Sequence, residues 1–381
     1  MLLKKFDYPN ELNKIFDKLN TLNFTTIITG GYIRDFFLDK KSKDIDIEVY
    51  GLDNITQLIP LLKEFGKIYE VGKSFGVCKL TMGNLDLDFS MPRTDNKVSS
   101  GHKGFDITLL KKFDFQKAAS RRDFTINTIG YNTKTKQILD PFNGLVDLKV
   151  NLLKAVDSNS FVEDPLRVFR AMSMVGRFEL EVETNTLKLC SSMVERNMLS
   201  ELSYERIYEE FKKLFLKANK PSLGLDFLKK IGGIKFFYEL KMTDADWQST
   251  LNDIDKVKTN IFVSLVVLCY RLKDECIISF ITKLTNNKKL IKKILLYKKI
   301  INWFENKEDT LSYSQSKNLN LKDLKLFLQT IEINESLVQN LTNIQPKVHG
   351  KDLLNLGFKP STQLGNLLQL IYEIQLINYK S

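Results

Sequence analysis

The chain has 381 residues, more than one ordinary hydrophobic core holds, so roughly two to four subdomains are expected. Its 43% hydrophobic content is that of a globular protein, and a formal net charge of +11 favours a polyanionic partner, although an AT-rich coding sequence would give the same excess of Lys. Cys78, Cys190, Cys269 and Cys276 have neither metal-ligand spacing nor a disulfide framework, and two histidines, His102 and His349, cannot build a histidine-rich metal site. Residues 1–7 lack the apolar core of a signal peptide, and the longest apolar run, 261–270, is too short to span a bilayer. A reducing, cytoplasmic setting with no membrane partner is therefore expected.

Residues 10–22 place Leu12, Ile15, Phe16 and Leu19 on one face at helical spacing. Residues 24–29 are β-branched and apolar and suit a strand. Gly30-Gly31 follows. Having no Cβ, the pair lets the backbone turn sharply and approach a ligand closely. A short helix after it would aim its first N–H groups into the turn, an anion site by geometry, and Arg34 would add a fork of phosphate donors. Asp44-Ile45-Asp46-Ile47-Glu48-Val49 reads as the next strand. Side chains alternate along it, so Asp44 and Asp46 share a face while Ile45 and Ile47 enter the core. Adjacent carboxylates repel, and an oxygen-preferring divalent cation, Mg²⁺ above all, would hold them together. Two such ions about 4 Å apart beside a phosphate cradle serve phosphoryl or nucleotidyl transfer. A lone Asp-x-Asp is usually a solvated strand; the Gly-Gly-x-x-Arg-Asp segment ahead of this one points to catalysis.

Residues 58–65 read as a helix, and 67–71, 77–81 and 85–89 as short strands. Asp86 and Asp88 share a face of the last. Beside the Asp44/Asp46 strand, Asp88 would supply a third carboxylate; at a sheet edge it would be only a polar outer face. From 90 to 117 the pattern fails, and Pro92, Gly101 and Gly104 mark a long loop of undetermined role. Arg121-Arg122-Asp123-Phe124-Thr125-Ile126-Asn127 offers guanidinium donors for a triphosphate and a carboxylate for a ribose hydroxyl. Asp140-Pro141-Phe142-Asn143-Gly144 is a turn that closes the first domain. Strand patterns stop there, and helices are expected over 164–176, 184–195, 203–217, 222–230 and onward.

Glu163-Asp164-Pro165-Leu166-Arg167 opens the first long helix, with Pro165 suited to its first turn after an Asp cap. Asp164 and Arg167 face the same way, and Arg170 lies one further step of three along that face. Cytosine and adenine both present an amine donor beside a ring-nitrogen acceptor. An Asp accepts from the first and an Arg donates to the second. Uracil and guanine would leave both side chains mispaired, and sites built on hydrogen bonding reject such mismatches strongly. The pair would thus select CTP and ATP without a template, although a capped helix with an i,i+3 ion pair is the commoner meaning of such residues.

Taken together, these segments resemble the class II tRNA nucleotidyltransferases, the CCA-adding enzymes, with the related poly(A) polymerases, in the polymerase-β-like nucleotidyltransferase superfamily. The glycine turn with Asp44-x-Asp46 is similar to the catalytic motif, 121–127 to the ribose and triphosphate motif, 140–148 to the head-to-neck connection, and 163–167 to the base-reading motif. Ser203-Tyr204-Glu205-Arg206-Ile207 resembles the helix that braces it, and 350–354 with 356–360 the tail pattern. Lys154, Thr128 and Ser361 depart from the family's usual Arg, Ala and Gly.

The resemblance implies an α+β chain: a small mixed α/β nucleotidyltransferase head over 1–140, then an all-α neck over 141–218, body over 219–300 and tail over 301–381. It implies Mg²⁺-dependent addition of CMP and AMP to the tRNA 3′ end, with ATP and CTP as substrates. Asp44 and Asp46 would be catalytic and, with Asp88, hold metal. Gly30, Gly31, Arg34, Arg122, Asp123, Asn127, Asp164, Arg167 and Arg170 would bind nucleotide. Lys288/Lys292 and Lys289/Lys293 fall at i,i+4 and would form a tRNA-binding stripe, though a solvated lysine face reads the same. With only His102 and His349, the His-Asp phosphohydrolase domain of some members is not expected. The long loop disfavours a C-adding enzyme. Addition of A alone, polyadenylation, or a catalytically silent RNA-binding relative stays open, as does the oligomeric state.

Overall fold

The computed structural model describes residues 4–70, 77–97, 105–110, 112–306, 319–333 and 346–378. The chain forms two compact units, one of Met1–Ala171 with Glu179–Leu202, the other of Met172–Phe178 with Ser203–Ser381.

The first unit is built on a mixed sheet. Its leading helix α1 (Asn13–Thr21) buries Ile15, Phe16 and Leu19, with Leu12 just ahead of it. The strands are β1 (Thr25–Thr29), β2 (Asp44–Tyr50), β3 (Lys67–Glu70), β4 (Val77–Met82), β5 (Leu85–Ser90), β8 (Gly130–Asn132) and β9 (Gln137–Leu139). They lie in the order β3-β4-β5-β2-β1-β8-β9. β2 and β5 run parallel, with Asp44 opposite Asp86 and Asp46 opposite Asp88. The helix α2 (Gly31–Phe37) bridges β1 and β2.

The alternation expected for 44–49 decides which face of β2 meets which neighbours. Ile45, Ile47 and Val49 are fully buried in one apolar cluster with Ile15, Phe16, Ile33, Leu58, Leu80, Leu87 and Phe89. The opposite face carries Asp44, Asp46, Glu48 and Tyr50, and its environment changes along the strand. At its far end Tyr50 packs with Ile27 and with Phe115, Ala118 and Ala119 of α4 (Phe115–Ser120). Glu48, next along this face, is also buried, while Asp44 and Asp46 are exposed.

Two expectations need correcting. The stretch 90–117 is not one long loop: strands β6 (Arg93–Lys97) and β7 (Phe105–Leu109) pair antiparallel from Arg93–Leu109 to Lys97–Phe105, and α4 follows. His102, Lys103 and Gly104 lie outside the described residues. Strand structure also recurs after residue 140, as Leu152–Leu153 pairs parallel with Glu181–Val182. A two-residue strand carries no periodicity to detect.

Among its described residues the second unit is helical, and with the sheet of the first it makes the α+β class expected. Helix α9 (Tyr204–Lys217) buries Phe211, whose ring packs on Phe237 and Phe280. Residues Ile261–Cys269 form a helix buried from Val263 to Cys269, so the longest apolar run is a core helix. No helix among the described residues is long and apolar enough to cross a membrane.

In the first unit, the short helix α5 (Gly144–Lys149) approaches the 125–127 turn closely. A Cβ on Gly144 would sit 2.2 Å from the Thr125 carbonyl oxygen. Backbone cannot yield as a side-chain tip can. Gly144→Ala is therefore expected to cost about 1–3 kcal/mol and to lower the melting temperature by roughly 2–10 °C. An unchanged melting curve would show that the approach is not tight.

Candidate active site

Gly30 sits at φ +69°, ψ −128°, a conformation open in practice only to glycine. Its N–H donates to the Ile129 carbonyl at 3.0 Å, which ties the turn to the segment before β8. A Cβ on Gly30 would lie 2.7 Å from Arg122 Nη1 and 3.8 Å from Asp46 Oδ2. The missing side chain is what brings a guanidinium and a carboxylate to the same turn. The helix behind it has only seven residues and contributes a modest dipole.

The β2–β5 register brings Asp44, Asp46, Asp86 and Asp88 to one face. Asp86 Oδ1 accepts from the Thr81 hydroxyl at 2.9 Å. Lys79 Nζ is 3.6 Å from Asp88 Oδ1, which accepts no hydrogen bond. The Asp46 side chain reaches solvent, but protein crowds round it. Lost hydration, then the charges of Asp88, Asp44 and Glu48, push its pKa above the usual carboxylate range against the pull of Arg122. Lys79 and Arg122 offset the crowded carboxylates only in part, since the net shift at Asp46 is upward. Hard carboxylate oxygens crowded in this way suit an oxygen-preferring divalent cation that substrate phosphates help to hold. Among the described residues no group of three or more acidic, His or Cys side chains is placed to hold a metal ion by itself.

The other expected nucleotide-binding residues are drawn together, largely by one another. Arg34 is buried and turned inward. Its Nε and Nη2 donate to Asp35 Oδ1 at 2.9 and 2.6 Å, and Nη1 donates to Asn127 Oδ1. It thus braces the glycine turn through three of its five donors. Spacing alone cannot reveal this, because Asp35 and Asn127 claim the guanidinium only in three dimensions. Asn127 Nδ2 donates in turn to Asp123 Oδ1 at 3.0 Å, which also accepts from the Phe124 N–H. Asp123 Oδ2 accepts from Arg170 Nε at 2.6 Å. Burial alone would push Asp123 up. The Arg170 guanidinium, the Asn127 hydrogen bond and the Arg167 charge outweigh it and hold the carboxyl below its usual range. Asp123, expected to accept from a ribose, thus has both oxygens engaged inside the protein, and Arg170 is its partner.

Helix α7 (Leu166–Phe178) begins with Asp164 Oδ1 accepting from the Leu166 N–H at 3.1 Å, as an Asp cap should. Arg167 donates to the carbonyls of Ser160 at 2.8 Å and Arg121 at 2.6 Å, with its guanidinium 5.7 Å from the centre of the Phe161 ring. Two of its five donors are therefore fixed. Glu48 was not among the expected site residues. It accepts from Arg122 Nη2 at 2.9 Å and from the Tyr50 hydroxyl at 3.1 Å. The signal was present: an acid at i+4 from Asp44 lies on the same strand face.

In the second unit, Lys288, Lys289 and Lys292 are exposed on the helix Lys288–Asn306. Lys293 leaves the expected stripe. Its ammonium is 3.1 Å from Asp323 Oδ2 and 3.9 Å from the centre of the Phe262 ring.

A family model described as the poly A polymerase head domain matches residues 26–154. The "Multifunctional CCA protein" of Neisseria meningitidis serogroup A is 31% identical over 210 residues, 55% of this chain and 48% of that protein, so the chain spans about half the length of this relative. The "CCA-adding enzyme" of Lactococcus lactis subsp. lactis is 27% identical over 383 residues, covering 94% of this chain and 91% of the relative. A solved structure titled "The structure of CCA-adding enzyme apo form II" superposes with a TM-score of 0.75 at 22% identity, over 98% of this chain and 93% of that one. That superposition extends the shared fold beyond the head, and residues 26–154, which match the poly A polymerase head domain, include the strand that carries Asp44 and Asp46.

Proposed function

We propose that the chain is a template-independent tRNA nucleotidyltransferase that adds CMP and AMP from CTP and ATP to the tRNA 3′ end and releases pyrophosphate. The observation that carries this is the meeting of Asp46, Arg122 and the bare Gly30 backbone at one turn, beside the carboxylates of Asp44 and Asp88. The head-domain match and the names of the similar proteins support the choice of substrates.

Asp44, Asp46 and Asp88 would hold Mg²⁺, which when bound supplies charge against the phosphates and lowers the pKa of an attacking hydroxyl. The chain's own residues do the positioning. The Gly30–Gly31 backbone admits the triphosphate, and Arg122 meets it from the side. Asp164 and the unengaged donors of Arg167 face the base edge, and Arg34, Asn127, Asp123 and Arg170 hold the segments that carry these groups. The tRNA 3′ hydroxyl attacks the α-phosphate, and the bond to pyrophosphate breaks. Alongside a helical neck, body and tail divided near residues 140, 218 and 300, the exposed lysines Lys288, Lys289 and Lys292 would track the tRNA backbone. The family match serves a second product equally, because poly(A) polymerases share the head domain.

Primer extension decides between them. With Mg²⁺ and all four nucleotides, tRNAs lacking CCA should gain C, C and A and then stop. Extension of only the CC-ended tRNA by ATP would mean an A-adding enzyme, and long A tails on any RNA a poly(A) polymerase. Asp46→Asn should reduce transfer to below about a thousandth of wild type. The raised pKa of Asp46 gives the sign of its stability effect. The folded state holds this proton more tightly than the unfolded one, so ionisation weakens the metal-free fold as pH rises through the carboxylate range. Near neutral pH, metal-free Asp46→Asn should therefore melt no lower than wild type, and added Mg²⁺ should raise its melting point less. A variant that melts lower would make Asp46 a structural residue.

Arg167→Ala should reduce the preference for CTP and ATP over UTP and GTP by about 100-fold or more, with a smaller change in triphosphate affinity. Unchanged selectivity would remove the base-reading role. Lys288→Ala with Lys292→Ala should lower the slope of log tRNA affinity against log salt by about 1–2, whereas Lys293→Ala should lower the melting point and leave that slope alone. Equal slopes in all three proteins would clear this helix of a part in tRNA binding.

A further inference from the structure

We propose that Glu48 is a positioning residue: it fixes the Arg122 guanidinium beside the Gly30 turn and so sets nucleotide affinity without touching the nucleotide, an assignment that rests on the nucleotidyltransferase reading above. Glu48 is 2% exposed. A buried carboxylate is costly unless paired, and an apolar side chain would fill the same space at no such cost. Arg121 Nη2 is 3.8 Å from Glu48 Oε1, too far for a hydrogen bond, and Arg122 is the close partner. Oε1 accepts from Arg122 Nη2 at 2.9 Å, and Oε2 accepts from the Tyr50 hydroxyl at 3.1 Å. Arg122 Nη1 donates to the Asn127 carbonyl at 3.0 Å. The guanidinium is therefore held from two sides, by β2 and by the 125–127 turn, with Nη1 2.7 Å from where a Gly30 Cβ would lie. Asp46 Oδ2 is 3.8 Å from that same point. A guanidinium released from Glu48 thus has a second carboxylate within reach, and pairing with it would remove both groups from their tasks. Holding Arg122 in place before the nucleotide arrives avoids that loss and the cost of ordering it later.

The test is a double-mutant cycle of wild type, Glu48→Gln, Arg122→Ala and the double variant. ATP and CTP binding would be read by equilibrium dialysis without tRNA, and kcat and KM by extension of tRNAs ending in CC and in C. Glu48→Gln should raise Kd and KM for ATP and CTP alike by about tenfold, the scale of a lost charged hydrogen bond, with the preference over UTP and GTP unchanged. In the Arg122→Ala background the same change should add less than about twofold, because its effect passes through Arg122. Equal factors in both backgrounds, unchanged affinity, or altered base preference would overturn the assignment. Should Glu48→Gln melt too low to assay, Tyr50→Phe takes its place in the cycle, with about a two- to threefold effect expected when Arg122 is present and none when it is absent. Equal factors there overturn it too. A wild type that incorporates no nucleotide on any tRNA end would sink the nucleotidyltransferase reading; an active wild type with an additive cycle would sink the role of Glu48 alone.

Discussion

Like charges crowded on one face of β2 are the constraint around which the first unit is arranged. Asp44, Asp46 and Glu48 point the same way, and the parallel pairing with β5 adds Asp86 and Asp88 to the same face. Each acid meets a different fate. Glu48 is buried and neutralised by Arg122, with Tyr50 on its second oxygen. Asp86 takes a hydroxyl from Thr81. Asp46 keeps its unfavourable surroundings, and its raised pKa records them. The fold tolerates this because the other face of β2 is wholly apolar and anchors the strand in the main core. Strain held at one end of a well-buried strand is a common mark of a site that expects a ligand.

Asp123 shows the opposite use of the same side chain. It is more deeply buried than Asp46, yet its pKa falls, because Arg170, Asn127 and Arg167 more than offset its lost hydration. Its charge therefore stabilises the fold above the usual carboxylate range, and that contribution is lost as pH falls through its lowered pKa. The same network ties the 121–127 segment to the start of α7, and through Asn127 and Arg34 to the glycine turn. The glycine turn and the start of α7 thus share one set of buried hydrogen bonds, as the proposed placing of phosphates at one and base at the other would require.

Sequence carried what is local. Alternation separated Ile45 and Ile47 from Asp44 and Asp46, helical spacing found α1 and α7, and two adjacent glycines marked the turn. What lay beyond sequence is partnership. Arg34 and Lys293 have the charge of surface donors, but Asp35 with Asn127 and Asp323 with Phe262 turn them inward. Those partners are 93 and 30 positions away for Asn127 and Asp323, and no spacing rule connects them. The β6–β7 pair failed for a related reason. Arg93-Thr94-Asp95-Asn96-Lys97 has no apolar alternation and reads as loop, while its pairing with 105–109 supplies the strand through backbone hydrogen bonds.

A protein that chooses nucleotides with no template strand has to carry the selecting geometry in its own side chains. A flexible Arg would donate to a carbonyl as readily as to a ring nitrogen by shifting its fork. Arg167 lacks that freedom. Two of its donors are held by the Ser160 and Arg121 carbonyls, its face lies against Phe161, and its neighbour Arg170 is bound to Asp123. In the proposed base-reading role, the remaining donors would present one direction, fixed beforehand. Rigid placement converts a mismatched carbonyl into an unmade hydrogen bond in place of a tolerated shift, and unmade buried hydrogen bonds are the source of strong discrimination. The carbonyl clamps on Arg167 would thus matter to selectivity as much as its charge, because they remove the alternatives by which the wrong base could be accommodated.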